Sequence, residues 1–166
     1  GIVYGISDYG LAKQTGLSLF DAKKYINNYF ETYPNIKKFM DETKEFCKEN
    51  GYVTTIMHRR RYIKEINSPN HALREFGKRA AMNSRVQGSA ADLIKVAMIN
   101  IQKEIERRHL SSKMVLSIHD ELIFDVLNEE KEEMIAIINK EMKGAMDLGV
   151  TLDNSLSFAY TWYDAK

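Results

Sequence analysis

The sequence predicts an α+β fold in which long amphipathic helices carry a few short antiparallel strands. Apolar residues recur at helical spacing over residues 18–50, 70–108 and 129–146. Two β-rich stretches, 52–63 and 113–126, each fold back around a polar turn, and no repeat or low-complexity tract interrupts them. Strands mixed with long helices in this way read as α+β rather than as a parallel α/β sheet. At 166 residues the chain can bury a real core, as one domain or one lobe of a larger one.

The elements follow from local chemistry. Asp8, between Ser7 and Gly10, reads as a helix cap or turn residue rather than a ligand. Ser18 with Asp21 three positions on resembles a capping box and opens a helix to about Tyr29–Thr32, with Leu19, Ala22, Ile26, Tyr29 and Phe30 on its apolar stripe. Pro34 suits the first turn of a second helix to about Glu49, expected to bury Ile36, Phe39, Met40, Thr43 and Phe46 and to stop at Gly51. Tyr52–Ile56 and Arg61–Ile63 read as short strands around an arginine-rich turn. Asn70 caps a third helical region, with a break or a tight contact expected at Gly88-Ser89-Ala90-Ala91 and a long apolar helix continuing to about Arg108. A hairpin at 113–126, a helix from Glu129 to about Met146 with Met134, Ile137, Ile138 and Met142 inward, and a last strand at 150–158 complete the pattern.

Charge is balanced overall but unevenly placed. Residues 1–51 carry seven basic and seven acidic side chains, residues 52–96 nine against three, and residues 97–166 eight against thirteen. A basic middle beside an acidic end suits one surface for phosphates and another for cations; two solvated faces of opposite sign fit as well. The single cysteine, Cys47, excludes an internal disulfide and reads as a packing residue. Lys95 interrupts the longest apolar stretch, Leu93–Ile101, so no membrane span is expected, and no secretory signal is visible. The chain begins at Gly1 rather than Met, which reads as a piece of something longer.

The run Met114–Val126 carries the sharpest chemical signal. Two apolar arms flank His119-Asp120-Glu121, so a buried hairpin would place Asp120 and Glu121 together at an exposed tip. Adjacent carboxylates repel, and a hard divalent cation such as Mg²⁺ would neutralise them. Alone, the dyad reads first as a solvated acidic turn. Arg79, Asn83 and Gln87, at i, i+4 and i+8, project from one helix face and are types that hydrogen-bond to base edges; in the minor groove such donors can test pair geometry without reading sequence. A polar, solvated helix face is the alternative. Arg59-Arg60-Arg61 on a turn can clamp phosphates or simply be solvated. Tyr4-Gly5 offers a ring and a flexible joint but says little alone. His58, His71 and His109 lack ligand spacing, and no Gly-rich phosphate loop or serine elbow is present.

Several blocks together resemble a known family. Gly1-Ile2-Val3-Tyr4-Gly5-Ile6-Ser7-Asp8-Tyr9-Gly10-Leu11-Ala12 is similar to the tail of the fingers helix of family A DNA polymerases, those of the bacterial DNA polymerase I type. Arg59-Arg60-Arg61-Tyr62, Arg79-Ala80-Ala81-Met82-Asn83 and Gln87-Gly88-Ser89-Ala90-Ala91-Asp92 resemble later blocks in the same order. Val115–Leu122 resembles motif C, and Trp162-Tyr163-Asp164-Ala165-Lys166 the extreme C-terminus. The resemblance covers the whole chain.

It implies a partial polymerase palm, with the catalytic hairpin at 113–126, plus fingers helices: residues 1–66 part of the fingers and 67–166 part of the palm. It also implies DNA-directed nucleotidyl transfer from a dNTP to a primer 3′-hydroxyl by a Mg²⁺ pair, primer–template DNA as partner, no membrane, and a cytoplasmic, nucleoid-associated location. Asp120 would be one of two metal-holding aspartates, Glu121 an auxiliary acid at the metals and His119 close to the primer terminus. Arg79, Asn83 and Gln87 would line the minor groove, and Tyr4 would stack near the templating position with Gly5 in a hinge. Arg59, Arg60, Arg61 and Arg74 would approach the backbone through phosphates or through palm packing.

Two departures stand out: His58 where the family pattern has Gly before its arginine run, and Ala159 where it has Gly three residues before the terminal Trp. The nucleotide-binding lysine and aromatic, the strand with the partner aspartate, and the thumb and exonuclease regions are not in this sequence. The expectation is a portion of a polymerase that does not extend primers alone and pairs with a missing N-terminal portion. A non-catalytic DNA-binding module derived from a polymerase is the alternative; a small metal-dependent nuclease would need further acidic ligands.

Overall fold

The computed structural model describes residues 1–165, so Lys166, the end of the C-terminal block, lies outside the described residues. The chain forms two compact units, Gly1–Ser89 and Ala90–Lys166.

In the first unit a 3-10 turn, Ile2–Tyr4, precedes helices α1 (Asp8–Thr15), α2 (Leu19–Thr32) and α3 (Pro34–Asn50). Each start has a local cause. The Ser7 hydroxyl accepts from the Gly10 N–H, and the Ser18 hydroxyl accepts from the Asp21 N–H, satisfying amides that a helix start leaves orphaned. Pro34 opens α3, and Gly51 ends it in the left-handed conformation. Strands β1 (Tyr52–Thr54) and β2 (Arg60–Tyr62) pair antiparallel, with Tyr52 opposite Tyr62 and Thr54 opposite Arg60. The core of this unit gathers Cys47, Val53, Ile63, Ile66 and Ala81, and burial pushes the Cys47 thiol up. Phe46, expected inside, is instead 40 % exposed. Met40, Thr43 and Cys47 follow the inward stripe of α3, and Phe46 sits beside it.

Asn70 caps α4 (His71–Arg107) as expected, its Oδ1 accepting from the Ala72 and Leu73 N–H groups at 2.9 and 3.2 Å. The expected break near Gly88 does not occur: α4 is one helix of 37 residues that runs from the first unit into the second. The expected tight contact does occur. A Cβ on Gly88 would lie 2.6 Å from Thr55 Cγ2, and the Ser89 hydroxyl accepts from the Ile56 N–H at 2.9 Å. Glycine here costs helix propensity but lets the β1–β2 loop approach the helix closely.

In the second unit β3 (Lys113–Ile118) and β4 (Glu121–Asp125) form an antiparallel hairpin with an irregularity between Met114 and Leu116, followed by α5 (Lys131–Lys143). Ile101, Ile105, Met134, Ile137 and Ile138 make the core, with Met114, Leu122, Phe124 and Met142 packed against it. The arms are not buried on both faces; Val115 and Leu116 are 56 and 45 % exposed, because a two-stranded sheet covers only one face against its core. The helix stops at Gly144, short of Met146. The expected strand at 150–158 is absent. That segment finds no ladder partner and is held by side chains instead: Asp153 to Lys143 at 2.8 Å and Asn154 to Asn139 at 3.1 Å.

Candidate functional site

The two units each carry one set of candidate residues. In the first, α4 places Arg79, Asn83 and Gln87 along one exposed row, as their spacing predicts. The N-terminal turn is fastened to this row. Gln87 Nε2 donates to the Tyr4 hydroxyl at 3.3 Å. Gly5 has φ 79°, and a Cβ on it would lie 2.4 Å from Met82 Cε and 3.4 Å from Arg79 Cγ. Tyr4, Gly5, Arg79 and Gln87 therefore share one surface, with Asn83 in the same row. Arg79 and Asn83 have no side-chain partner among the described residues and keep their donors for solvent or a ligand.

The arginine cluster is arranged differently from expectation. Only Arg59 stands at the turn; Arg60 and Arg61 belong to β2. Arg59 donates through Nη2 to the Gly88 carbonyl at 3.3 Å, Arg60 stacks over the Tyr52 ring at 4.7 Å from its centroid, and Arg61 is exposed. Arg74 donates to the Ser68 and Pro69 carbonyls at 3.0 and 3.5 Å, at the entrance to α4.

In the second unit His119 and Asp120 form the two-residue turn of the hairpin, and Glu121 is the first residue of β4, opposite Ile118. His119 has φ 53° whereas Asp120 does not lie at positive φ, the φ signature of a II′ rather than a I′ turn. All three side chains are exposed. Asp120 and Glu121 are among the residues lining a cavity of about 1240 Å³, together with the rest of β4, Phe158 and Trp162. Two adjacent carboxylates offer the hard oxygens that Mg²⁺ takes, but an octahedral shell needs more. Among the described residues no three acidic, histidine or cysteine side chains converge on one point.

Other charged groups brace the second unit. Glu104 accepts from Arg107 and Arg108, and Arg108 also bridges to Glu133 at 2.9 Å; hydrogen bonds first from Arg107 and then from Arg108 hold the Glu104 carboxyl down to about 2. Glu130 accepts from the Ser111 and Ser112 amides and the Ser112 hydroxyl, which lowers its pKa and ties α5 to the start of β3.

Sequence reasoning missed two features. Arg85 lies over the Phe39 ring at 4.8 Å and donates to Thr43 at 2.9 Å, locking α3 against α4; nothing local marks it. Phe46, Tyr52 and Tyr62 form an aromatic cluster at the surface, with Phe46 and Tyr62 exposed and Tyr52 half-buried between them, legible in principle from the alternation along β1 and β2.

Comparison with known proteins adds three findings. The model of DNA polymerase family A matches residues 1–164. DNA polymerase I of Caldicellulosiruptor bescii is 45 % identical over 166 residues, covering 100 % of this chain and 20 % of the relative, and that of Lactococcus lactis subsp. cremoris is 46 % identical, covering 100 % and 19 %. The chain spans about a fifth of the length of the curated relatives it matches. The POL domain of Pol1 from M. smegmatis, solved in complex with DNA primer-template and dNTP, matches with a TM-score of 0.94 at 38 % identity, covering 99 % of this chain and 29 % of that one.

Proposed function

The chain belongs to DNA polymerase family A, and on that premise we propose that it forms the C-terminal fingers-and-palm portion of a DNA-directed DNA polymerase. The observation that carries the reading is the Gln87–Tyr4 bond, which joins the N-terminal block to the row on α4 in one donor-rich surface. Residues 1–66 are read as part of the fingers and 67–166 as part of the palm. The complete enzyme transfers a nucleotide from a dNTP to a primer 3′-hydroxyl, in the cytoplasm at the nucleoid. No helix among the described residues is long and apolar enough to cross a membrane.

On this reading Arg79, Asn83 and Gln87 donate to purine N3 and pyrimidine O2 in the minor groove, where these acceptors lie at similar positions in every pair. Such donors accept any correct pair and lose bonds to a misshapen one. The Tyr4 ring, 38 % exposed and steadied by Gln87, offers a face to the templating base. Arg61 offers its free guanidinium to backbone phosphate, with Arg59 and Arg60 beside it and Arg74 behind the helix start. Asp120, with Glu121 beside it, is the carboxylate this chain contributes toward Mg²⁺, and His119 stands next to it as a donor at the primer terminus. The remaining ligands and the dNTP-binding groups come from polypeptide outside this sequence, so the isolated chain binds DNA but does not extend it.

Fluorescence anisotropy with a labelled primer–template checks the first part. Arg79→Ala and Asn83→Ala should each weaken binding by roughly 5- to 30-fold, and unchanged affinity in both would defeat the reading. Primer extension checks the second. The isolated chain should be inactive, a preparation completed with the N-terminal portion of a relative should extend primers, and Asp120→Ala should abolish that activity. Robust synthesis by the isolated chain would overturn the half-site assignment.

A further inference from the structure

The β1–β2 hairpin carries a cluster that the α4 row does not use. Cross-strand pairing sets Tyr52 opposite Tyr62 and Thr54 opposite Arg60, so these side chains share one face of the ribbon. The Tyr52 and Tyr62 rings meet edge to face with centroids 5.6 Å apart, and Phe46 of α3 closes on Tyr52 at 5.6 Å and 83°. The Arg60 guanidinium lies over Tyr52 at 4.7 Å. Tyr62 is 64 % and Phe46 40 % exposed.

Edge-to-face packing orders the rings, and with Arg60 over Tyr52 it is Tyr62 that keeps most of its ring surface open to solvent. Arg60 is partnered by the two tyrosines and, among the described residues, by no carboxylate. A ring face beside an uncompensated guanidinium suits an unstacked base with its phosphate, the combination that single-strand binders use. A proline-rich peptide also seats on aromatic rings, but it makes no use of the Arg60 cation. The surplus of nine basic over three acidic residues in 52–96 decides for a polyanion.

We propose that Phe46, Tyr52, Tyr62 and Arg60 form a platform for single-stranded DNA, separate from the Arg79–Gln87 row, on which one or two bases stack. It rests on the polymerase reading only in taking DNA as the ligand.

Anisotropy of the full chain with fluorescein-labelled oligo(dT) and with a blunt duplex tests it. Tyr62→Ala should weaken oligo(dT) binding by about 5- to 20-fold, and Tyr62→Trp should restore it. Neither should change duplex binding. Arg60→Gln, which keeps all three rings, should weaken oligo(dT) by about threefold and flatten its salt dependence, so the proposal stays testable if the tyrosine variant fails to fold. Equal oligo(dT) affinity in wild type and variants, no oligo(dT) binding by the wild type, or a proline-rich peptide bound in its place overturns the platform. The effect of Arg79→Ala on the duplex reports separately on the polymerase reading.

Discussion

Gln87 donates its side-chain amide to the Tyr4 hydroxyl at 3.3 Å, joining residues 83 positions apart. Beside it Gly5 lies so close to Met82 and Arg79 that the N-terminal turn has one seat on α4. The bond is exposed, so its loss should be mild: Tyr4→Phe and Gln87→Ala each cost about 0.5–1 kcal/mol. Urea unfolding of both single variants and the double variant measures the coupling. The double variant should lose less than the sum of the two; strict additivity would mean that the bond does not form in solution.

Gly77 and Gly88 lie inside the unbroken α4, and helix propensity alone says that alanine at either should stabilise by about 1 kcal/mol. The contacts reverse that sign. A Cβ on Gly77 would lie 2.7 Å from the Ile66 nitrogen and 2.8 Å from the Glu65 carbonyl carbon, and backbone cannot swing aside. On Gly88 it would meet only the Thr55 Cγ2 methyl, at 2.6 Å. Gly77→Ala should therefore destabilise by about 2–3 kcal/mol. Gly88→Ala should lose about 1–2 kcal/mol and recover most of it when combined with Thr55→Ser, which deletes the methyl but keeps the hydroxyl that accepts from Arg59. Thermal melts of Gly77→Ala, Gly88→Ala, Thr55→Ser and the Gly88→Ala/Thr55→Ser double variant decide it, and failure of Thr55→Ser to rescue would remove the methyl as the cause.

These glycines show where sequence is legible and where it is not. Ser18 and Asn70 announce helix starts because a cap acts within three residues. The Arg79, Asn83 and Gln87 row follows from helical spacing alone. Gly88 is locally ambiguous between a break and a close approach, and only the arrival of Thr55 resolves it. Phe46 was misplaced because Met40, Thr43 and Cys47 already fill the inward stripe, which no single position reveals. The strand expected at 150–158 fails for a related reason: β structure requires a partner ladder, and the segment's own residues cannot supply one. The acidic tip is legible as Asp120 and Glu121, but among the described residues no third ligand-type side chain joins them.

Acidification should loosen the Glu104–Arg107–Arg108 group at the C-terminal end of α4. Hydrogen bonds from Arg107 and Arg108 depress the Glu104 carboxyl from its ordinary 4.5 to about 2. A depressed folded-state carboxyl stabilises fully above its unfolded value and loses that contribution as pH falls through the folded one. The window therefore runs from about pH 5 down to about pH 2. Glu104→Gln should melt below the wild type at neutral pH, and the gap should close across this window. Glu130, also lowered, leaves a residual slope in the variant. A gap independent of pH would show that the ionised carboxylate is not what Arg107 and Arg108 hold.

His58 occupies the position where the resemblance to family A polymerases expects glycine, and it has φ 60°. The loop from Thr55 to Arg59 demands that conformation: the His58 N–H donates to the Thr55 carbonyl at 3.0 Å, the Thr55 N–H donates to the Arg59 carbonyl at 3.0 Å, and the Thr55 hydroxyl accepts from the Arg59 N–H at 3.2 Å. Left-handed backbone costs an L-residue about 1–2 kcal/mol. Glycine escapes that cost but gives up unfolded-state entropy worth about 0.5–1 kcal/mol. His58→Gly should therefore stabilise, by about 0.5 kcal/mol. His58→Ala keeps the strain, gains no entropy term of that kind and loses whatever the imidazole contributes, so it should not stabilise. Opposite shifts of the urea midpoint in the two variants locate the strain at this φ. Equal shifts would place the effect in the imidazole instead.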